Sequence, residues 1–367
     1  MIEVENLQQT LDRFIKLGTP IKNLIPWHVN GQSQPLVTQD EHGKIVCIDG
    51  FEFHCHDDKD EKTAKQIIEQ YRIMKMYYKI PPEKYPDVIS QFLFNMTRIK
   101  MDWNNPRTFQ EKIQWLKLYD STPLKTICAD KFKVREYVSR KIGSQYLIPL
   151  LDVWNDPDEI DLDELPDQFV LKCNHGSGFN IIVRDKNKFD FEAAKEKLRG
   201  WLKIDYGMFA FEFHYCAMKP KIVAEKFIEV DGEFDIPNYK FYCFNGEPKF
   251  IQYEIGHDTE LCLDFFDLDW THLSVRRTDH PQTTNPENIR KPHNLKLMIE
   301  LSRKMSEDFA FVRVDFYEVG DQIFFGELTF SPSGGAVYFI PSEYNEKFGD
   351  MLQLPQARKI FNRFEKY

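Results

Sequence analysis

The chain has 367 residues, 42% of them hydrophobic and 14% aromatic, ample for two or three domains with buried cores. Its formal charge of −10 argues against nucleic acid or an anionic membrane as a bulk electrostatic partner, leaving only local basic pockets for anions. No basic stretch leading into an apolar one opens the chain and no long apolar run occurs, so a cytoplasmic protein without a transmembrane segment is expected. The cysteines Cys47, Cys55, Cys128, Cys173, Cys216, Cys243 and Cys262 stand singly with no C-x-x-C pair, which fits reduced thiols used as small core residues.

Residues 1–95 read as an accessory unit. A helical start falls around Leu7 to Leu17, a hairpin at Lys44 to Phe53 turns on Asp49-Gly50, and a helix follows from Lys62 with Ala64, Ile67, Ile68, Tyr71, Met74 and Tyr78 on one stripe until Pro81-Pro82 stops it. His54-Cys55-His56 offers metal-ligand types. On a strand, however, the two histidines share a face without the cysteine, and no second ligand pair stands nearby, so a solvated hairpin edge is expected there.

After Pro106, Thr108 and Glu111 form a capping box for a helix that turns Phe109, Ile113 and Leu116 inward. A second helix is predicted from Asp130, with Val134, Tyr137 and Val138 on one side and Gly143 at its end. This would put Lys131 at a helix N-terminus, where a cation is unfavourable unless an anion offsets it. The stretch from Phe169 to Arg184 then reads as a hairpin of two apolar runs around a loop containing Gly176 and Gly178, with Lys172 near the end of its first strand. A lysine beside exposed backbone N–H groups is suited to a polyphosphate.

Further on, a helix through Trp201 to Tyr206 leads to an apolar strand interrupted by Glu225 and Lys226. A hairpin turns at Asn245-Gly246 with Lys240 on its first strand, and the polar segment from Asp267 to Pro292, carrying Arg276-Arg277, reads as a surface excursion. A helix with Leu297, Leu301 and Met305 in register precedes a last hairpin turning at Gly320-Asp321. There Arg313, Asp315 and Tyr317 share one face of the first strand, and Glu327 and Thr329 one face of the second. Carboxylates inside apolar runs require a cationic partner, which is either Arg313 or a hard divalent ion such as Mg²⁺.

As an ordered set, these features resemble the ATP-grasp superfamily, and phrases such as NPRTFQEKIQWLKLYD, ADKFKVREYV, LPDQFVLKCNHGSGFNIIV, YKFYCFNGEP and FGELTF resemble its TupA-like branch, associated with bacterial polysaccharide biosynthesis. The similarity spans roughly residues 95–350. It implies an α+β ATP-grasp fold in which two subdomains sandwich ATP, with an extra N-terminal α/β unit: 1–95 accessory, 96–165 helical, 166–230 nucleotide-binding, and 231–367 carrying the metal site. It also implies that Lys131 and Lys172 bind the nucleotide and that the loop His175, Gly176, Ser177, Gly178 closes over the phosphates. Glu225 and the backbone of Lys226, Phe227 and Ile228 would meet the nucleotide at the hinge. Asp315, Glu327 and Thr329 would hold two Mg²⁺ ions, with Arg313 and Lys240 as catalytic cations. The sequence departs from the usual pattern at Thr329, where the superfamily commonly has asparagine, and at Asn238, where the branch motif has aspartate.

The activity so implied is an ATP- and Mg²⁺-dependent carboxylate–amine ligase. It would pass through an acyl phosphate on a uronic acid of a surface polysaccharide or its sugar precursor, with an amino acid or amine as co-substrate and a peripheral association with envelope-synthesis machinery. A kinase acting on a sugar hydroxyl is the alternative within the same nucleotide site. Asp267-Leu268-Asp269 raises a glycosyltransferase, and the absence of G-x-x-x-x-G-K-[ST] excludes a P-loop.

Overall fold

The computed structural model describes residues 76–228, 236–256 and 260–360, together with the backbone of five short strands ahead of them. Those strands are β1 (Ile2–Val4), which runs parallel to β2 (Trp27–Val29), and β3 (Val37–Gln39), β4 (Ile45–Ile48) and β5 (Phe51–Glu52), paired antiparallel in that order. The expected hairpin between Lys44 and Phe53 corresponds to β4 and β5. The helix expected at Leu7 to Leu17, most of the one expected from Lys62, and the His54-Cys55-His56 stretch lie outside the described residues.

Helix α1 (Tyr85–Thr97) buries Tyr85, Val88 and Ile89 against Leu118, Met208, Phe211 and Phe213, and the expected division at residue 95 falls inside it. Helix α2 (Phe109–Tyr119) opens with the predicted capping box: Thr108 N–H donates to Glu111 Oε2 at 2.9 Å and Glu111 N–H to Thr108 Oγ1 at 3.2 Å. A short helix α3 (Pro123–Ala129) precedes α4 (Val134–Lys141). The helix predicted from Asp130 therefore starts later. The Asp130 side chain accepts from Phe132 N–H and Lys133 N–H at 2.9 and 3.1 Å, a local turn that competes with the helix and places Lys131 in that turn.

Strands β6 (Leu150–Trp154), β7 (Phe169–Cys173), β8 (Asn180–Val183) and β9 (Ile222–Lys226) make an antiparallel sheet in the order β6-β9-β7-β8. Its core of Phe169, Leu171, Cys173 and Ile222 packs on Leu198 and Trp201 of helix α5 (Phe191–Leu202). The helix expected through Trp201 to Tyr206 is broken: α5 ends at Leu202, and Asp205 caps a separate short helix α6 (Tyr206–Ala210) by accepting from Met208 N–H at 3.2 Å.

The second sheet has the order β12-β11-β10-β14-β15, from β10 (Asn238–Phe244), β11 (Glu247–Ile255), β12 (Cys262–Phe266), β14 (Phe311–Val319) and β15 (Gln322–Thr329). The β10–β11 turn places Asn245 and Gly246 at φ 49 and 83°, the left-handed values that an Asn-Gly pair tolerates. Every residue of β10 is buried, because the sheet is covered on both faces. Tyr239, Phe241 and Cys243 face α4 and helix α7 (Leu295–Ser306), while Tyr242 and Phe244 face α2 and helix α8 (Glu343–Asp350). In α7 the inward stripe is Leu295, Met298, Leu301 and Met305. Leu297, expected inside, points to solvent. The supposed excursion from Asp267 contains β13 (Arg276–Arg277), which pairs with β16 (Phe339–Ile340) and buries Arg277.

Helix α8 docks on the start of α2 through Gly349. A Cβ there would lie 2.0 Å from the Arg107 carbonyl and 2.9 Å from Phe109 N, both backbone atoms that cannot swing aside. Gly349→Ala is expected to lower stability by about 1–3 kcal/mol. A thermal melt that stays within a degree of the parent would show that this contact is looser than described.

Candidate active site

One face of the five-stranded sheet ends in a polar cluster. Arg313, Asp315, Lys240, Glu327 and Thr329 share that face because cross-strand pairing sets Lys240 and Glu327 opposite Asp315, and Thr329 opposite Arg313. Arg313 lays its guanidinium across both oxygens of Asp315, Nε to Oδ1 at 2.7 Å and Nη2 to Oδ2 at 2.6 Å. The same Nη2 reaches Glu327 Oε1 at 2.9 Å and Thr329 Oγ1 at 3.0 Å, and the Thr329 hydroxyl donates to Glu327 Oε1 at 2.9 Å. Lys240 Nζ lies 2.6 Å from Glu254 and 3.5 Å from Asp315. Glu254 escaped the sequence reading, although a carboxylate within the apolar run of β11 carried the same signal as Asp315.

Burial pushes the Asp315 carboxyl up to about 6, against the opposing pull of Arg313 and Lys240. Glu327 moves the other way. Burial would raise it, but Arg313, Lys131 and Lys240 together hold it down to about 2.

On the four-stranded sheet, Lys172 Nζ donates to Glu225 Oε2 at 2.6 Å, and Arg135 Nη1 from α4 donates to Glu225 Oε1 at 3.2 Å. Arg135 is a second residue that the sequence reading passed over. The Lys131 ammonium donates to the Gly176 carbonyl, tying the glycine loop to the turn before α4. Burial lowers the Lys131 pKa, while Glu327 from the far sheet and Glu225 from the near one both work to raise it. Lys131 thus stands within electrostatic reach of both sheets' carboxylates.

The glycine loop divides in two. His175 is buried and its Nε2 meets the Trp201 carbonyl at 3.0 Å, so its ring anchors the base of the loop, and burial lowers its pKa. Ser177 and Gly178 are exposed at the tip, with Gly178 at φ 78°. Gly176 has no room for a side chain, since a Cβ would meet the Phe179 ring at 2.6 Å. At the hinge, the Lys226 N–H is committed to the Pro149 carbonyl at 2.9 Å. Phe227 lies under the Arg184 guanidinium, 5.6 Å from ring centroid to charge.

Two cavities result. One of about 800 Å³ is lined by Ser177, Lys240, Glu254, Arg313, Glu327 and Thr329 and runs on past Ser331, Ser333 and Gly334 to α1. A second of about 960 Å³ is lined by Leu151, Arg184, Lys226 and Phe227. Asp267 and Asp269 line neither cavity, and Asp267 Oδ1 caps its own turn, accepting from Asp269 N–H at 3.0 Å and Thr271 N–H at 2.7 Å.

The donor set suits a hard divalent cation chiefly at Glu327 and Thr329. Glu327 Oε2 accepts no hydrogen bond among the described residues, whereas both oxygens of Asp315 are taken by Arg313 and would be released only if that guanidinium turned away. No group of three or more His, Cys, Asp or Glu among the described residues is arranged to hold a metal. No helix among them is long and apolar enough to cross a membrane.

Two antiparallel sheets presenting lysines and a glycine loop on one side and an arginine–carboxylate cluster on the other define a protein of the ATP-grasp class. The profile of the family described as TupA-like ATPgrasp matches residues 111–353, and the chain belongs to that family, within a class of ATP-dependent ligases. Similar solved structures include a D-alanine–D-alanine ligase from Helicobacter pylori, 14% identical, covering 69% of each chain with a TM-score of 0.38. An L-amino acid ligase from Bacillus licheniformis is 15% identical over 67% of this chain and 54% of that one, with a TM-score of 0.38. The ATP-grasp ligase PsnB, solved with minimal precursor, Mg and ADP, is 11% identical over 90% of this chain and 87% of its own, with a TM-score of 0.32. Among curated proteins, none matches the chain.

Because its folded pKa of about 2 lies below the usual 4.5, Glu327 contributes stability that is complete above about 4.5 and is lost as pH falls toward 2. Asp315, raised to about 6, acts with the opposite sign as pH rises through that value, so a comparison with Glu327→Gln isolates the glutamate. The denaturant midpoints of parent and Glu327→Gln are expected to differ most above pH 5 and to converge toward pH 2. A constant gap would show that Glu327 is not charged in this network.

Proposed function

We propose that the protein is an ATP- and Mg²⁺-dependent carboxylate–amine ligase acting in the cytoplasm on a uronic-acid carboxyl of a bacterial surface polysaccharide or its sugar precursor. The observation that carries this reading is the position of Lys131, bonded to the glycine loop and within electrostatic reach of both Glu225 and Glu327. A triphosphate placed there meets cations from both sheets, which a single binding patch would not provide.

In this reading, residues 166–230 and 231–367 form the two jaws, with 96–165 lending Lys131 and Arg135. Lys131 and Lys172 neutralise the phosphates, with Lys172 turning from Glu225 to do so, while Ser177 and Gly178 at the loop tip cover them. The substrate carboxylate attacks the γ-phosphorus, ADP leaves, and the acyl phosphate is captured by an amine with release of inorganic phosphate. Arg313 balances charge on the transferring group, and Lys240, braced by Glu254, sits where it can assist. Glu327 and Thr329 would hold Mg²⁺, joined by Asp315 once Arg313 shifts; when bound, the ion neutralises phosphate oxygens and aligns them for in-line attack. The turn formed by Asp267 supports this reading over a glycosyltransferase.

Incubation with ATP, Mg²⁺, uronic-acid glycans and an amino-acid pool, followed by mass spectrometry, is expected to yield ADP together with a glycan heavier by one amino acid less water. A stable gain of one phosphoryl group would instead make the protein a kinase. Lys172→Ala is expected to reduce turnover at least 100-fold with the fold retained, and unchanged ATP affinity and rate would remove the hairpin from the site. Glu327→Gln should cut the Mg²⁺-dependent rate far more than it shifts the melting temperature.

A further inference from the structure

Lys117 and Glu212 lie on the floor of the 800 Å³ cavity beyond the Arg313 cluster, only 4% and 5% exposed. Each is tied to the loop that follows β15. Ser331 Oγ donates to Glu212 Oε1, and Lys117 Nζ donates to the Gly334 carbonyl at 3.0 Å. Arg277 backs the same loop through Ser333 Oγ at 2.8 Å. The two charges influence one another, yet no direct ion pair joins them among the described residues. Burial raises the Glu212 carboxyl above its usual range and lowers the Lys117 ammonium to about 8, each opposed by the other group.

Burying two unlike charges without bringing them together is costly, and a purely structural pair would close to contact or be replaced by apolar side chains. Here each keeps unused hydrogen-bonding capacity. An ammonium has three donors, of which Lys117 spends one, and Glu212 Oε2 accepts nothing among the described residues. Facing them, α1 and α6 present Ile89, Phe92, Met96 and Phe209, an apolar wall on which Met96 is 43% exposed. Lys117 also sits 5.3 Å from the centre of the Phe92 ring.

We propose that this end of the cavity binds the amine co-substrate, that the co-substrate is a free α-amino acid with an apolar side chain, and that Glu212 takes its ammonium, Lys117 its carboxylate and the α1 wall its side chain. The inference rests on the ligase reading above and names one of its two substrates. Glu212 and Glu327 line the same cavity, so an ammonium held by Glu212 would share it with the carboxylate cluster that the ligase reading assigns to the phosphates. The α1 part of the wall, Ile89, Phe92 and Met96, precedes the family-matched residues 111–353, whereas Phe209 lies within them, so most of the specificity surface comes from outside the matched stretch.

Equilibrium dialysis of the full chain against L-leucine, isoamylamine, N-acetyl-L-leucine, L-glutamate and glucuronate reads this site without turnover. Leucine is expected to bind at least tenfold tighter than each of the other four, since each lacks one charge or the apolar side chain. Lys117→Met should erase the preference over isoamylamine and Glu212→Gln the preference over N-acetyl-leucine. Because both residues are buried, the parent protein's ligand series decides the matter even if neither variant folds. Equal binding of leucine and isoamylamine, or tighter binding of glutamate or glucuronate, overturns the proposal. Selective leucine binding in a protein that forms no amide would keep this site and remove the ligase reading, and amide formation without that selectivity would do the reverse.

Discussion

The fork of Arg313 across Asp315 is the interaction on which the polar half of the molecule depends. Asp315 is almost wholly buried on β14, between β10 and β15, where an isolated carboxylate would cost several kcal/mol. One guanidinium supplies the counter-charge, and the same nitrogen gathers Glu327 and Thr329 from the neighbouring strand. A lysine could not do this, because its point charge lacks the planar fork that meets two oxygens at once. Tyr242, Phe250 and Phe311 lie on the same sheet face and lower the local dielectric around the buried Arg313 and Asp315, while Glu327 and Thr329 face the cavity.

Charged groups from different elements gather beside the four-stranded sheet. Arg135 and Lys172 converge on Glu225 from different elements, and Lys131 spans the gap toward Glu327. An anion entering between the sheets would replace carboxylates as the partner of these cations. In this arrangement the carboxylates hold the cations paired, and in the proposed reading they give them up to the phosphates of the nucleotide.

Much of this was legible in the sequence wherever local chemistry decides the outcome. The capping box at Thr108, the Asn245-Gly246 turn and the pairing of the last hairpin are each set by a few neighbouring residues. The predicted start of α4 failed because the Asp130 side chain turns the backbone before the helix can begin. Leu297 failed because a stripe of three positions does not discriminate between adjacent faces of α7 when Leu295 and Met298 compete for the inside. Glu254 and Glu212 went unread although each is a charge set among apolar or aromatic neighbours, the signal that singled out Asp315. Arg277 stands in a polar stretch, and its burial follows from the pairing of β13 with β16, a contact that only tertiary structure reveals.

The bond from Lys131 to the Gly176 carbonyl has a mechanical side. The loop tip at Ser177 and Gly178 has few partners of its own, yet its root is fastened below by His175 on Trp201 and above by a lysine that belongs to another part of the chain. Such a flap cannot lift as a free hinge, because raising it breaks the bond between the half-buried Lys131 ammonium and the Gly176 carbonyl. Drawing Lys131 away from that carbonyl removes one of the two fastenings and leaves His175 on Trp201, so the tip can move while the base of the loop stays fixed.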